Sequence, residues 1–205
     1  MSKFHKIAFT PNVKAVQSEF GTRSIYERSD SAKEVRAELT GAEFDFIEQR
    51  DGFYLATAGE TGWPYVQYRG GPRGFLKVID ARTVGYADFR GNRQYISVGN
   101  LRGNDKAALF LMDYANRRRL KILARARVDD DPELIRSLRH EDYKAKIERA
   151  VILDVEAFDW NCPQHITPRY TMDEVEAMVR PVYEHIEKLE KEIELLKRGT
   201  DESIS

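Results

Sequence analysis

The residues best suited to bind a charged ligand lie at positions 90 to 94, where arginines flank a glycine and an asparagine. The sequence Arg90-Gly-Asn-Arg-Gln94 follows an apolar stretch and precedes a segment typical of a short helix. Backbone N–H groups at a helix N-terminus attract anions, and a guanidinium can hold a phosphate with two parallel hydrogen bonds. We therefore interpret Asn92, Arg93 and Gln94 as part of a phosphate-binding turn.

Two further clusters lie in the same part of the chain. The segment Pro64-Tyr-Val-Gln-Tyr-Arg69 runs into Gly70-Gly71, where glycines let a planar ligand or a phosphate approach the backbone closely. The segment Asn116-Arg-Arg-Arg119 begins an alternating strand, which puts Arg117 and Arg119 on one face. Each cluster taken singly is more often a turn or a solvated surface charge, so the argument depends on their order along the chain.

The clusters are separated by segments with the alternation and turn residues of β-strands. We predict strands at 52–58, 64–69, 75–80, 83–89, 106–114, 119–128 and 150–158, and helices at 31–39, from Thr40, at 93–101 and from Pro132. Thr40-Gly-Ala-Glu43 is a capping box, and its helix should bury Phe44 and Ile47. Such short strands joined by tight turns favour a closed antiparallel barrel with flanking helices, an α+β fold.

The C-terminal residues carry the most regular apolar pattern in the chain. Apolar side chains recur at steps of four and three residues, at Val175, Val179, Val182, Ile186, Leu189, Ile193 and Leu196. This heptad spacing predicts a long helix with one apolar seam, packed either on its own barrel or on a partner subunit. Pro181 falls inside the pattern, so we expect a kink or a new helix start there.

Composition limits the classes of function. A single cysteine, Cys162, excludes an intramolecular disulfide, and the four histidines lack metal-site spacing, so we expect no metal centre. No apolar run reaches the roughly 20 residues of a membrane span, and the first residues lack a secretory signal's apolar core, so we expect a cytoplasmic protein. Residues 61–128 carry 14 basic and 4 acidic side chains, and residues 129–205 carry 11 and 20. The middle of the chain is therefore a candidate anion-binding region.

The order of strands and clusters over roughly residues 40 to 160 resembles the pyridoxamine 5′-phosphate oxidase-like family of FMN-binding split β-barrels. In that family a second strand containing Pro-Tyr contacts the flavin ring, and it corresponds here to the segment 64–69. A strand-end Tyr-Thr pair and a Gly-Ser-Arg-Lys tetrad hold the ribityl chain and the phosphate. They correspond to Ala87-Asp88 and to Gly91-Asn-Arg-Gln94. A later Arg-Gln, here Arg118-Arg119, reaches the flavin or its phosphate from the other subunit.

The resemblance implies FMN as cofactor and a homodimer with flavin sites at the subunit interface. It also implies these cofactor-binding residues: Gln67, Tyr68, Arg69, Ala87, Asp88, Asn92, Arg93, Gln94, Arg119, Trp160, Pro163 and Gln164. Arg69 and Arg119 are the candidates for a cation beside the ring edge that becomes negative on reduction. In this fold the segment around Trp160, Pro163 and Gln164 commonly lies near the partner's flavin, although Trp160 could instead cap the barrel.

On this interpretation the chain is one compact domain with four parts. They are an N-terminal arm and helix (1–40), a six- to seven-stranded antiparallel split barrel (41–160), a loop bordering the cofactor cleft (161–170) and a C-terminal helix (171–205).

The chain also departs from the family pattern. Gln94 replaces a lysine, Ala87 lacks a hydroxyl, and the segment that binds pyridoxal phosphate in the true oxidase is replaced by residues 159–169. We therefore expect an FMN-dependent oxidoreductase acting on another small organic substrate, with electrons from a reduced nicotinamide, because the flavin itself carries the redox chemistry. The alternatives are a non-catalytic flavin, heme or deazaflavin binder of the same fold, and nucleic-acid binding through the basic region, which the acidic tail opposes.

Overall fold

The computed structural model describes residues 3–30, 38–160 and 163–202. These residues fall into two compact units. The first unit is formed by residues up to 113 together with 117–166, and the second by 114–116 together with residues from 167 onward. The first contains the β-sheet, and the second contains the long C-terminal helix.

The N-terminal arm consists of three short helices where it is described. They are α1 (Lys3–Ala8), α2 (Pro11–Glu19) and α3 (Arg23–Asp30). The prediction of no helix before residue 31 is wrong because Thr10-Pro11 is a helix start signal. The Thr10 hydroxyl accepts a hydrogen bond from the Val13 N–H at 3.4 Å, and Pro11 occupies the first turn. Of the helix expected at 31–39 only the last two residues are described, and they are not helical.

Seven strands and three helices follow in the first unit. They are α4 (Gly41–Glu48), β1 (Gly52–Ala58), β2 (Pro64–Gly70), β3 (Leu76–Asp80), β4 (Thr83–Phe89), α5 (Ile96–Gly103), β5 (Lys106–Asp113), β6 (Arg118–Asp129), α6 (Pro132–Leu138) and β7 (Ile147–Trp160). Every expected strand is present with its bounds shifted by at most three residues. The strands form one antiparallel sheet in the order β2-β1-β5-β6-β7-β4-β3, which confirms the α+β split-barrel fold class.

The backbone hydrogen bonds of this sheet do not join its two end strands into the closed barrel that the sequence pattern predicted. Strands β2 and β3 lie at its two ends. The connection between them is anchored elsewhere, since the Gly71 N–H donates to the Asp51 carbonyl at 2.9 Å and the Gly74 N–H to the Arg50 carbonyl at 3.2 Å. These bonds hold the start of β3 near the start of β1 and leave β2 as an edge strand with unpaired backbone groups along one side.

The core fills the inside of the curved sheet. Its largest fully buried side chains come from alternate positions of the strands and include Phe53, Leu55, Tyr86, Leu109, Leu111, Leu120, Ile122 and Leu153. Burying one such side chain contributes about 1.5–3 kcal/mol relative to leaving it in water. Both faces of β4 are covered, because Ala87 packs with Ala150 and with Leu138 of α6 on the side away from the main core. The neighbouring strand β7 is covered in the same way, with Ala150 and Ile152 on that side and Val151 and Leu153 in the main core, which explains its continuous apolar run.

Helix α4 covers one end of the core and begins with the predicted capping box. The Glu43 carboxylate accepts hydrogen bonds from the Thr40 N–H at 2.9 Å and from the Thr40 hydroxyl at 2.6 Å. Ile47 is buried as expected, whereas Phe44 is only partly buried and Phe46 takes the second core position. The helix therefore turns a slightly different face to the core than the sequence pattern indicated.

In the second unit, α7 (Met172–Glu202) is one uninterrupted helix that contains Pro181, so the expectation of a new helix start there is wrong. A second capping box begins it. The Glu174 N–H donates to the Thr171 hydroxyl at 3.3 Å, and the Thr171 N–H donates to the Glu174 carboxylate at 2.8 Å. None of the helices in the described part of the chain is both long and apolar enough to cross a membrane.

Candidate functional site

Five of the residues predicted from the sequence line one pocket where the sheet is split. They come from the end of β2, the end of β4 and the turn that follows it. The pocket is lined by Gln67, Arg69, Asp88, Asn92 and Arg93, together with Phe89, Gly91, Tyr95, Val98 and Glu148.

The inner wall of this pocket is a buried ion-pair cluster. An Nη atom of Arg69 lies 2.7 Å from Asp88 Oδ1, which links the edge strand β2 to β4 by side chains rather than by backbone pairing. The Nε atom of Arg149, on β7, lies 3.8 Å from Asp88 Oδ2. Burial raises the pKa of Asp88 above its usual range, although the two guanidinium groups act in the opposite direction.

The outer wall is organised around the carboxylate of Glu148. It accepts hydrogen bonds from Arg90 Nε at 2.6 Å, from the Tyr95 hydroxyl at 3.3 Å and from an Nη atom of Arg149 at 3.0 Å. The hydrogen bond from Arg90 holds the pKa of Glu148 below its usual range. Three hydrogen-bond donors of the protein therefore surround the Glu148 carboxylate, which lies beside the predicted phosphate-binding turn.

The turn itself has an unusual backbone. Arg93 and Tyr95 have positive φ angles of 60° and 54°, a region that non-glycine residues rarely occupy and that is often found at functional sites. The Asn92 side-chain oxygen accepts a hydrogen bond from the Gln94 backbone N–H at 3.1 Å. The Asn92 side-chain nitrogen donates to the Gln94 side-chain oxygen at 3.4 Å. As a result α5 begins at Ile96 rather than at residue 93, and Gln94 is directed toward Asn92.

The charges around the pocket do not cancel. Four guanidinium groups, of Arg69, Arg90, Arg93 and Arg149, face two carboxylates, which leaves a formal charge of +2. Arg93 makes no ion pair with any residue that the structure describes. Arg69 Nε is also buried without a hydrogen-bond acceptor. A buried donor without an acceptor is uncommon and costly, so the pocket fits an added anion.

One of the five pocket residues, Gln67, also joins two elements, and two other predicted residues lie outside the pocket. Gln67 accepts a hydrogen bond from the buried Ser97 hydroxyl at 3.0 Å, which ties β2 to α5. Ala87 is buried on the opposite face of β4 from Asp88. Tyr68 faces outward with its ring centroid 5.5 Å from that of Tyr54. The structure therefore brings Gln67 to the pocket but separates Ala87 and Tyr68 from it.

The outward face of the sheet carries an apolar groove. It is lined by Phe4, Tyr54, Ala56, Val66, Ala108, Leu109, Phe110, Lys121, Ile122 and Leu123. Arg119 belongs to this face, because its guanidinium lies 5.5 Å from the Phe110 ring centroid, and its Nε is another buried donor without an acceptor. Arg69 and Arg119 thus lie on opposite faces of the sheet within one chain.

The fold agrees with the comparison to known families. The sequence profile described as pyridoxamine 5′-phosphate oxidase matches residues 39–164. The chain belongs to this family. The match includes the whole sheet and every residue of the pocket. No curated protein matches the chain.

Similar solved structures come from several bacteria. HupZ of group A Streptococcus is 16% identical with a TM-score of 0.50, and the alignment covers 64% of this chain and 99% of HupZ. A Clostridium acetobutylicum protein related to general stress protein 26 is 17% identical with a TM-score of 0.47, covering 65% and 94%. An FMN-binding protein of Syntrophomonas wolfei is 10% identical with a TM-score of 0.47, covering 73% and 97%. At this identity the HupZ structure supports the shared fold alone.

Trp160 lies at the end of β7 against α4. Its Nε1–H donates to the Glu43 carboxylate at 2.6 Å, its ring packs edge-on against Phe46 at 4.7 Å, and the Arg118 guanidinium lies 4.7 Å from its centroid. Within one chain this is the geometry of a barrel cap. Burial raises the pKa of Glu43, but the hydrogen bonds from Thr40 and Trp160 outweigh that effect and hold it below its usual range. Pro163 and Gln164 are exposed, and Cys162 lies outside the described residues.

Sequence reasoning missed Tyr95, Val98 and Glu148, which line the pocket, and Arg149, which pairs with both of its carboxylates. Tyr95 was masked by the expectation that the helix begins at residue 93. Arg149 is the backbone partner of Asp88 in the pairing of β4 with β7. The signal for it was the alternation of β7, which continues from the inward-facing Val151 and Leu153 back to residue 149. Among the described residues, no three His, Cys, Asp or Glu side chains lie together to hold a metal ion.

Proposed function

We propose that this chain binds FMN at the split of the barrel and acts as an FMN-dependent oxidoreductase on a small organic substrate. The observation that carries the proposal is the pocket at the turn 90–95, with its formal charge of +2. The phosphate monoester of FMN carries close to two negative charges at neutral pH. The FMN-binding protein among the related structures is in keeping with this choice of cofactor.

The phosphate would be held by the turn. The guanidinium of Arg93 is available because it has no ion-pair partner among the described residues, and the neighbouring Asn92 amide can donate a hydrogen bond. Arg90 is already bound to Glu148 at 2.6 Å, so it supports the turn and contributes less to the ligand. The Glu148 carboxylate also lowers the local positive charge, so that the formal charge of +2 matches the charge of one phosphate monoester.

The flavin ring would lie along β2. As an edge strand, β2 offers backbone N–H and C=O groups that the sheet leaves unpaired. A flavin's pyrimidine edge presents both donors and acceptors and can pair with such groups. Bound flavin supplies the hydride and electron transfer. The protein's part is to orient the ring and to supply positive charge near it, which Arg69 and, from a second subunit, Arg119 would do.

A homodimer would complete the site. The apolar groove around Tyr54, Val66 and Phe110 is exposed in the single chain, and apolar surface of this kind marks an interaction site. Arg119 lies on that face beside Phe110. Packing a second copy there would place Arg119 at the interface, where it could reach the partner's cofactor.

The test compares FMN with riboflavin, which lacks the phosphate. Quenching of flavin fluorescence should show that the wild-type protein binds FMN at least about tenfold more tightly than riboflavin, because hydrogen bonds to a charged group contribute about 1.5–3 kcal/mol. Arg93→Ala should lose most of this difference and leave riboflavin affinity unchanged. Arg102→Ala, which removes an exposed charge from α5, is the matched control and should bind both ligands as the wild type does.

Turnover needs a separate measurement. The FMN-loaded protein should oxidise NADH or NADPH in the presence of an electron acceptor. If it binds FMN through Arg93 but oxidises neither nucleotide with any acceptor, the protein is a flavin binder rather than an oxidoreductase. Equal affinity for FMN and riboflavin, in wild type and Arg93→Ala alike, would contradict the phosphate site itself.

A further inference from the structure

The apolar seam of α7 is exposed along its whole length. Its seven side chains, from Val175 to Leu196, have exposed fractions between 36% and 66%. The rest of the helix surface is dominated by charged residues, with Glu187, Lys188, Glu190 and Lys191 within one turn and a half. A helix with one regular apolar stripe and a charged remainder is the pattern of a helix that packs against another helix.

The residue types along the seam discriminate between possible pairings. Steps of four and three residues place Val179, Ile186 and Ile193 at one core position, called a, and Val175, Val182, Leu189 and Leu196 at the other, called d. All three a residues are β-branched, and the last two d residues are leucine. In parallel coiled coils, β-branched residues at a with leucine at d favour two strands over three or four.

We infer that α7 forms a parallel, in-register, two-stranded coiled coil with α7 of a second copy of this chain. The inference does not depend on the proposed flavin site, because it uses residues 175–196 alone. It goes beyond a homodimer formed by the barrels, since it assigns a second contact between the two chains and fixes the direction of the two helices.

The charges beside the seam are complementary in this arrangement. In a parallel pair, the residue before each a position faces the residue five positions later in the other chain. His185 of one chain then faces Glu190 of the other, and Met178 faces Tyr183 by the same sequence spacing. The first contact joins an imidazole to a carboxylate, and neither places like charges together.

Pro181 is compatible with this pairing. It falls one position before Val182, on the side of the helix away from the seam, and α7 continues through it without interruption. A proline removes one backbone hydrogen bond and crowds the preceding turn. At this position its ring meets solvent and leaves the a and d side chains unobstructed.

The seam is short, about three heptads, and helices of this length are marginal as isolated pairs. Joining each helix to a larger unit raises the effective concentration of the second helix and stabilises the pair. The coil is therefore expected in the full chain, where it acts as a clamp between two subunits.

Disulfide cross-linking tests the pairing and its direction. Val182→Cys and Leu189→Cys, made singly in the full-length chain, put a thiol at successive d positions. In a parallel in-register pair both thiols face their own copies, so oxidised glutathione should convert most of each variant to a covalent dimer of about twice the 23.7 kDa chain mass. Glu184→Cys and Lys191→Cys, on the opposite side of the helix, are the matched controls. The wild-type chain gives the background from Cys162.

Each outcome is decisive. Strong cross-linking at both d positions and background levels at both controls supports the parallel coil. Cross-linking at only one d position indicates an antiparallel pair, because only residues near its two-fold axis meet their own copies, and overturns the inference. Background levels at all four positions, as expected if α7 packs on its own barrel, also overturn it. FMN affinity does not enter this readout, so failure of the flavin site leaves the test unaffected.

Discussion

The sheet and helix α7 both contain regular apolar patterns, but the chain buries only one of them. In the sheet, inward side chains such as Leu120 and Ile122 are fully buried, because neighbouring strands of the same chain cover them. In α7 the side chains of Ile186 and Leu189 are more than 40% exposed. The alternating pattern of the strands is buried within one molecule, whereas the heptad pattern of α7 is of the kind that packs against a second helix.

The same contrast holds for charge. The ion pair of Arg69 with Asp88 has its side chains only 16% and 6% exposed, whereas Arg127 and Asp154 form a pair on the barrel surface with more than half of each side chain in solvent. Buried pairs hold distant strands together, and surface pairs contribute little. Substitutions in the two regions should therefore differ widely in their effect on stability, in the order given below.

Asp88→Ala should have the largest effect. It leaves the guanidinium groups of Arg69 and Arg149 buried without their shared carboxylate, which typically costs about 3–5 kcal/mol. Urea unfolding followed by tryptophan fluorescence measures the loss. The control is Asp154→Ala, which breaks a solvent-exposed pair and should cost about 0–1 kcal/mol. Equal losses in the two variants would show that Asp88 does not join β2 to β4.

Leu120→Ala should cost about 2–5 kcal/mol, because it removes a fully buried side chain from a strand paired on both sides. The same unfolding experiment measures it as a lower urea midpoint. Leu195→Ala on α7 is the control, since this side chain is 69% exposed and lies outside the seam. Its midpoint should stay close to that of the wild type. A core variant as stable as the control would contradict the assignment of Leu120 to the core.

Glu43→Gln should cost about 1–3 kcal/mol at neutral pH, because the Glu43 carboxylate accepts hydrogen bonds from Thr40 and Trp160. These bonds hold its pKa below the ordinary value of 4.5. The stabilisation is therefore complete above pH 4.5 and is lost as the pH falls through the folded-state pKa. The gap in melting temperature between wild type and variant should narrow on acidification. Glu48→Gln, exposed on the same helix, should show no such gap at any pH.

Ile186→Ser combined with Leu189→Ser should have the smallest effect on the barrel, within about 0.5 kcal/mol of its free energy of unfolding. The pair removes apolar surface from the α7 seam without touching the sheet. Glu184→Ser with Lys191→Ser is the matched control. Sedimentation at increasing concentration should show weaker self-association for the seam variant alone. A large loss of barrel stability would show instead that the seam packs on the protein's own barrel.

Most of the architecture could be predicted because it depends on near neighbours. The alternation in β6, the turn residues after β1 and the capping box at Thr40 all involve residues within about four positions of one another. The less accurate predictions have equally local reasons. The start of α5 was predicted at residue 93 because the residue types there do not indicate the positive φ angles of Arg93 and Tyr95. The helix start signal at Thr10-Pro11 was overlooked.

The candidate site was predicted only in part. The turn at Asn92 and Arg93 could be found because its residues are adjacent in the sequence. Glu148 and Arg149 could not, since they meet Asp88 only through the register of β4 with β7. The contact between Arg69 and Asp88 crosses the split in the sheet, where no strand pairing exists to predict it.

By itself the sequence determined the seven strands, the heptad seam and the positively charged turn, because periodicity, caps and charge are properties of short stretches of chain. Only the tertiary structure decided that Arg69 points inward and Arg119 outward, and that two carboxylates neutralise part of the pocket's charge. Those facts depend on the curvature and register of strands far apart in the sequence. Side-chain electrostatics acts over a few ångströms of space, whatever the separation along the chain.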